Sequence, residues 1–411
     1  MQTSFNINPF NRGEIYFSKK ITGLLLFLFV FLFDSCQKEI SEKKSLSTDE
    51  ENSSMKKGNH EKDCFSDDEE NNNQKKGNHE GPATVTVFAT GLNNPRGLKF
   101  GPDCHLYVAE AGLGNGTTNS DALCPRSVPY DAPYHGSTIG GRISKINANG
   151  VRTTVTDKLP TIRSSFNDIL GATDVAFIGN QLYALLYAGC GHGVPSVPSC
   201  IAKINNNGTF TIIADLGAWR LSHPVAHPPT YDNDPEGAFN SMISVGNAFY
   251  TLDANHGDFV KVTSHGNINR IVDISASEGH IVPVVLEYAH GDFYMGNLGL
   301  FPIVDGSTNI YRIKDGKLKV VVKGLTAILG LVIDKKGRMY VLETSTGNDF
   351  PTPGAGKIVR VNPNGTKQVI ATGLSNPTSL AYGPDGNLYV SNWGYGGEPG
   401  DGEVLKVTLH N

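Results

Sequence analysis

No excess of either charge runs through this chain of 411 residues. It carries 35 Lys and Arg against 40 Asp and Glu, a net of -5. Without a basic surplus there is no electrostatic footprint for nucleic acid. No apolar run is long enough to cross a bilayer, which needs about 20 residues. The strongest one, ITGLLLFLFVFLF at 21–33, has thirteen. Common marks of catalysis are missing as well. There is no G-x-S-x-G nucleophile elbow, no H-E-x-x-H zinc helix and no phosphate-binding glycine loop. Cysteine falls to 6 residues with no paired ligand spacing, which argues against a zinc site. The placement of three of them on loops where they could pair fits an oxidising compartment.

What is present begins with an address. Lys19 and Lys20 precede the apolar run, and LFDSCQKE follows it. A basic start and a short apolar stretch read as a secretory signal. The Cys after a small residue resembles a bacterial lipobox, which makes 1–36 a lipoprotein-type signal peptide lipidated at Cys36. Stable attachment to a membrane takes more than one acyl chain, as a bacterial lipoprotein carries. The expected location is the outer membrane or cell surface, or the periplasm or medium if Cys36 is not lipidated.

Residues 37–82 hold 12 acidic and 8 basic side chains with almost no large apolar ones. Such a segment buries too little surface to offset the entropy of ordering, and is expected to be a disordered tether. Its duplicated KKGNHE, at 56–61 and 75–80, reads as a tandem repeat in a spacer.

The rest, 83–411, is repetitive. GLNNPRGLKFGPDCHLYV at 91–108 returns as GLSNPTSLAYGPDGNLYV at 373–390, with 11 of 18 positions identical. A strand carrying Tyr recurs as LYVAE, LYALL, FYTLD, FYMGN, MYVLE and LYVSN, at 106, 182, 249, 293, 339 and 388. The later spacings of 44, 46 and 49 residues match a four-stranded propeller blade. Turns rich in Gly, Asn and Asp separate the strands. Six third strands are visible, but only five fourth strands follow them. The spare one, TVTVFATGL at 84–92, resembles TKQVIATGL at 366–374. The expectation is an all-β, six-bladed β-propeller in which 84–92 completes the last blade and removes an exposed edge.

In that arrangement the long loops and long lead-ins share one face, where binding residues concentrate. The candidate ligand-binding residues at the channel mouth are Glu110, His192, His223, Asp253, Asn255, His256, His280, Asn297, Glu343, Asn392 and Trp393. The oxygens of Glu110, Asp253, Asn297 and Glu343 are the candidate ligands of a Ca²⁺ or another divalent metal. Cys124, Cys190 and Cys200 are disulfide candidates on the same face. Cys190 and Cys200 could staple their loop, or Cys124 could link blades through either.

Several stretches carry a resemblance. They are VFATGLNNPRGLKFGPD at 87, ISASEGHIVP at 274, GNLGLFPI at 296, LETSTGNDFPTPGAGKIVRV at 342 and GPDGNLYVSNWG at 383. Residues 83–411 are similar to the scytonemin-biosynthesis (ScyD/ScyE) family, secreted-type propellers related to the NHL-repeat class. The resemblance implies a β-propeller and no established catalytic role. Two functions follow. The first is a lipid-anchored, monomeric binding or scaffold module for a small molecule, glycan or protein. The alternative is a metal-dependent hydrolase of the lactonase or strictosidine-synthase-like type, with the metal polarising a carbonyl or activating water.

Overall fold

The computed structural model describes residues 83–120, 133–164, 168–230, 233–347 and 350–410. Cys36, the 37–82 tether and Cys124 lie outside them.

Six antiparallel sheets stand around an axis as blades, five of four strands and one, blade 1, extended by two short strands, Thr118–Asn119 and Ile169–Leu170. Blade 1 runs Pro95–Phe100, Leu106–Glu110, His135–Ile146 and Arg152–Arg163 from the axis outward. Blade 2 is built of Ala172–Ile178, Gln181–Leu186, Cys200–Ile204 and Phe210–Asp215. Blade 3 begins at Phe239–Val245, blade 4 at Pro283–Ala289 and blade 5 at Ile328–Ile333. Blade 6 comprises Ser379–Tyr382, Leu388–Asn392 and Gly402–Thr408, with Thr84–Leu92 outermost.

The ring therefore closes as the strand count requires. Thr84–Leu92 lies antiparallel to Gly402–Thr408, with Thr84 opposite Thr408 and Thr90 opposite Glu403. Ala89 and Leu92 of this strand pack with Leu98 and Val108 of blade 1 and Val404 of blade 6. A fully buried side chain the size of Leu92 contributes about 1.5–3 kcal/mol. Apolar clusters of the same kind fill the other five seams.

Burial explains the sequence pattern. The second strands LYVAE and LYVSN are buried along their whole length, because blades cover both faces. The outermost strand TVTVFATGL has exposed positions through most of its length.

The near-identical stretches also share a chemical reason. In blade 1 the Tyr107 hydroxyl donates to Asp103 at 2.9 Å, and Lys145 pairs with the same carboxylate at 2.6 Å. In blade 6 Tyr389 donates to Asp385 at 2.9 Å, and Lys406 pairs at 2.7 Å. Each triad ties a turn to the second and third strands of its blade.

Two regions differ from the sequence expectation. The third and fourth strands of blade 1 run on for twelve residues each, so that 157–163, expected as part of a long lead-in at 157–172, is strand. Ile162 and Arg163 then pair with Leu170 and Ile169. The lead-in to blade 3 also contains a helix, Leu216–Ser222, whose N-cap Asp215 accepts from the Ala218 N–H at 2.8 Å.

Candidate functional site

The innermost strands of blades 1 to 5 each carry a bulge near the loop-rich face. The shifts fall between Pro95 and Leu98, and between Ala172 and Asp174, with counterparts in the next three blades. A bulge re-aims the side chains beside it. Here the bulged ends surround a cavity of about 180 Å³ on the axis.

The cavity has two unlike sides. Arg96, Asp168, Asp174, Asn240 and Asn255 bring polar groups from blades 1 to 3 and their loops. Val282, Leu298, Phe301, Leu329, Phe350 and Tyr395 form an apolar wall from blades 4 to 6. Within that wall Phe301 meets Phe350 edge-on at 4.8 Å, and Phe350 stacks on Tyr395 at 6.3 Å. The Tyr395 hydroxyl is hydrogen-bonded to Thr344 at 2.7 Å, and burial pushes its acidity far down.

Polar groups in the cavity are held by neighbours. Arg96 Nη2 donates to Asp168 at 3.2 Å and to the Ile169 carbonyl at 2.6 Å. Burial raises the Asp168 carboxyl although Arg96 opposes it. Asp174 accepts the Val175 N–H at 2.9 Å and the Met242 N–H at 2.8 Å. Burial raises it too, against the nearby charge of Lys99. Lys99 borders both this cavity and a second one of about 340 Å³ toward the opposite face, where Glu287 is the acidic side chain. Burial lifts the Glu287 carboxyl to about 7, with Lys99 pulling the other way.

Of the candidate mouth residues, Asn255 and His280 line the cavity. The residues that end the second strands do different work. Glu110 accepts the Asn93 N–H at 2.6 Å and takes Arg142 Nε on both oxygens at 2.9 Å. Asp253 accepts the Ala238 N–H at 3.0 Å and His256 Nδ1 at 2.8 Å. Asn297 donates to the Ile281 carbonyl at 3.1 Å and accepts the Asn309 N–H at 2.9 Å. Glu343 pairs with Lys357 at 2.9 Å. Asn392 accepts the Ser375 N–H at 2.8 Å and donates to Glu403 at 2.8 Å. In all five of these blades the side chain bonds the backbone that leads into its own first strand, Glu343 through Thr326. In four it also reaches the start of the third strand or the loop before it, and in blade 1 Glu110 reaches Arg142, further along that strand.

These are clamps within a blade. The four oxygens considered for a metal are thus distributed one per blade, each with protein partners. Among the described residues no group of three or more His, Cys, Asp or Glu is arranged to hold a metal ion. Burial would raise the Asp253 carboxyl, but His256 beside it brings it below the usual carboxylate range. Glu343 stays raised by burial in spite of Lys357.

The remaining candidates sit further out. His192 is fully buried between Tyr134 and Tyr187, 3.2 Å from Asp234 and 3.4 Å from Glu236. Burial alone would lower its imidazole; the two carboxylates, Asp234 foremost, lift it to about 10. His223 is exposed and stacks on Trp219 at 4.6 Å. The Trp393 N–H donates to the Ser375 carbonyl at 2.8 Å. Cys190 is disulfide-bonded, but Cys200 is a free, buried thiol, so the Cys190–Cys200 staple is not formed. Cys104 on the opposite face is disulfide-bonded.

The cavity residues that the sequence reading passed over are Lys99, Asp168, Asp174, Phe301 and Phe350. A signal for Lys99 was available. RGLKF puts a charge in the middle of a strand that faces the axis, at a depth where blades 2, 3, 5 and 6 have Ala176, Ile243, Val332 and Ala381 and where only blade 4 carries another charge, Glu287.

No protein-family model matches this chain, and no curated protein matches it. Solved structures do. A structural genomics protein of unknown function from Bacteroides thetaiotaomicron aligns with a TM-score of 0.50 at 12% identity, over 80% of this chain and 76% of that one. A gluconolactonase from Xanthomonas campestris gives 0.46 at 10% identity, over 80% and 90%. Virginiamycin B lyase from Staphylococcus aureus gives 0.41 at 12% identity, over 80% and 99%. At these identities the likeness is one of fold.

Proposed function

We propose that this protein is an exported, lipid-anchored binding module that holds a small amphipathic molecule in the loop-face cavity of its propeller. The observation that supports the reading is the division of that cavity. One half offers charged and hydrogen-bonding groups around Arg96 and Asp168, and the other half is an aromatic and aliphatic wall. Ligand pockets are commonly apolar with a few placed polar groups. An apolar cavity of about 150 Å³ takes up benzene, so about 180 Å³ suits a single ring with a short polar extension. Disulfides at Cys104 and Cys190 suit an exported protein. Attachment through Cys36 and kinship with the ScyD/ScyE propellers belong to the same proposal.

The test is a blocked cavity. Leu329→Trp fills the space between the apolar wall and the axis. Native mass spectrometry of the protein incubated with extracts of its source cells is expected to find a small-molecule adduct on the wild type and none on the variant. An adduct retained equally by Leu329→Trp would place binding elsewhere.

A further inference from the structure

Hydrogen-bonding capacity in the cavity is lopsided. Both oxygens of Asp174 already accept backbone N–H groups. Asp168 accepts from Arg96. The donors are less occupied. Arg96 uses Nη2 on the protein and leaves Nε and Nη1 without acceptors. Among the described residues the Lys99 ammonium makes no hydrogen bond or ion pair, though it borders the cavity. An ammonium has three N–H groups and no acceptor. Lys99 is half-buried, so its ammonium is open to water or to a ligand entering the cavity.

Building on the cavity reading, we propose that the ligand is a ring-bearing carboxylate and that Lys99 at the cavity floor receives its carboxylate. Rise along a strand is about 3.3 Å per residue, and the bulge between Pro95 and Leu98 makes three residues advance only two steps, so Lys99 lies about 7 Å below Arg96 at the mouth. A ring lying against Phe350 and Tyr395 with a chain of two or three carbons reaches from the mouth to that floor. The acceptor-rich head suits the spare donors, and the ring suits the wall. A single carboxylate also suits the charges around it. Asp174 and Glu287 act on Lys99 from the two cavities that it borders, and a dianionic phosphate would meet them with greater repulsion.

The experiment compares 3-phenylpropionate with 3-phenylpropanamide by isothermal titration calorimetry. The wild type is expected to bind the acid at least ten-fold more tightly than the amide. Lys99→Met is expected to bring the acid down to the level of the amide and to leave the amide unchanged. Equal affinity of the wild type for both compounds overturns the carboxylate assignment while leaving the cavity reading intact. An acid preference that survives Lys99→Met but is lost in Arg96→Gln moves the head group to the mouth and overturns the role of Lys99. Binding of neither compound to the wild type removes the cavity reading and this inference together. The acid-to-amide ratio on the wild type tests the carboxylate assignment even if Lys99→Met fails to fold, and Arg96→Gln then tests Lys99: an acid preference kept in Arg96→Gln supports it, and one lost there overturns it.

Discussion

Asp174 of blade 2 lies against Gly97 of blade 1 so closely that a β-carbon on Gly97 would sit 2.0 Å from Oδ1. Two blades thus meet at the channel through a carboxylate that needs a missing side chain. Gly97→Ala is expected to displace Asp174 and break its bond from the Met242 N–H. Overpacking and an orphaned buried donor each cost about 1–3 kcal/mol. Urea denaturation should show a loss in that range. An unchanged midpoint would mean that Asp174 has room to move.

The clamp in blade 1 should be a stability element, not a binding element. Glu110→Gln strips the charge that faces Arg142, which leaves a mostly buried guanidinium without its anion. Removing one partner of such a pair costs about 3 kcal/mol or more. The double variant with Arg142→Met should recover part of it. Affinity for cavity ligands should not change, and a large change there would contradict the clamp assignment.

His192 gives a pH signature on the alkaline side. Its imidazole is raised from an ordinary value of 6.5 to about 10 by Asp234 and Glu236. A group raised in the fold stabilises fully below its unfolded value, and that stability disappears as pH climbs through the folded value. Relative to His192→Gln, the wild type should lose its advantage between pH 6.5 and about 10. Parallel stability curves for the two proteins over that window would rule out a charged His192.

Glu287 works in the opposite sense. Burial raises its carboxyl from 4.5 to about 7, so the fold disfavours the ionised form. At low pH both folded and unfolded states hold the proton and nothing is lost. The penalty grows between about 4.5 and 7 and stays in force above that range. Glu287→Gln should therefore match the wild type near pH 4 and exceed it in thermal stability near pH 8. A variant less stable at pH 8 would show that the carboxylate is paired after all.

The architecture was legible because it is written in repeats. Tyr strands, Gly-rich turns and the spare strand at 84–92 are local patterns with a physical cause in blade packing. The site was harder. A polar residue at the end of a second strand looks the same in sequence whether it points to the axis or back to the chain. Glu110, Asp253, Asn297, Glu343 and Asn392 point back, because the backbone leading into each first strand needs partners. Strand periodicity could not reveal the bulges that turn Arg96 and Asp174 toward the cavity. The apolar wall was hidden for a different reason. Phe301 and Phe350 sit in loops, where no period marks the inward side.

The most direct measurement is a crystal structure of the protein saturated with 3-phenylpropionate. The expected density has the ring against Phe350 and Tyr395 and the carboxylate within hydrogen-bond distance of Lys99 Nζ. Density for the compound at any other surface, with only water above Lys99, would contradict a ligand site on the propeller axis.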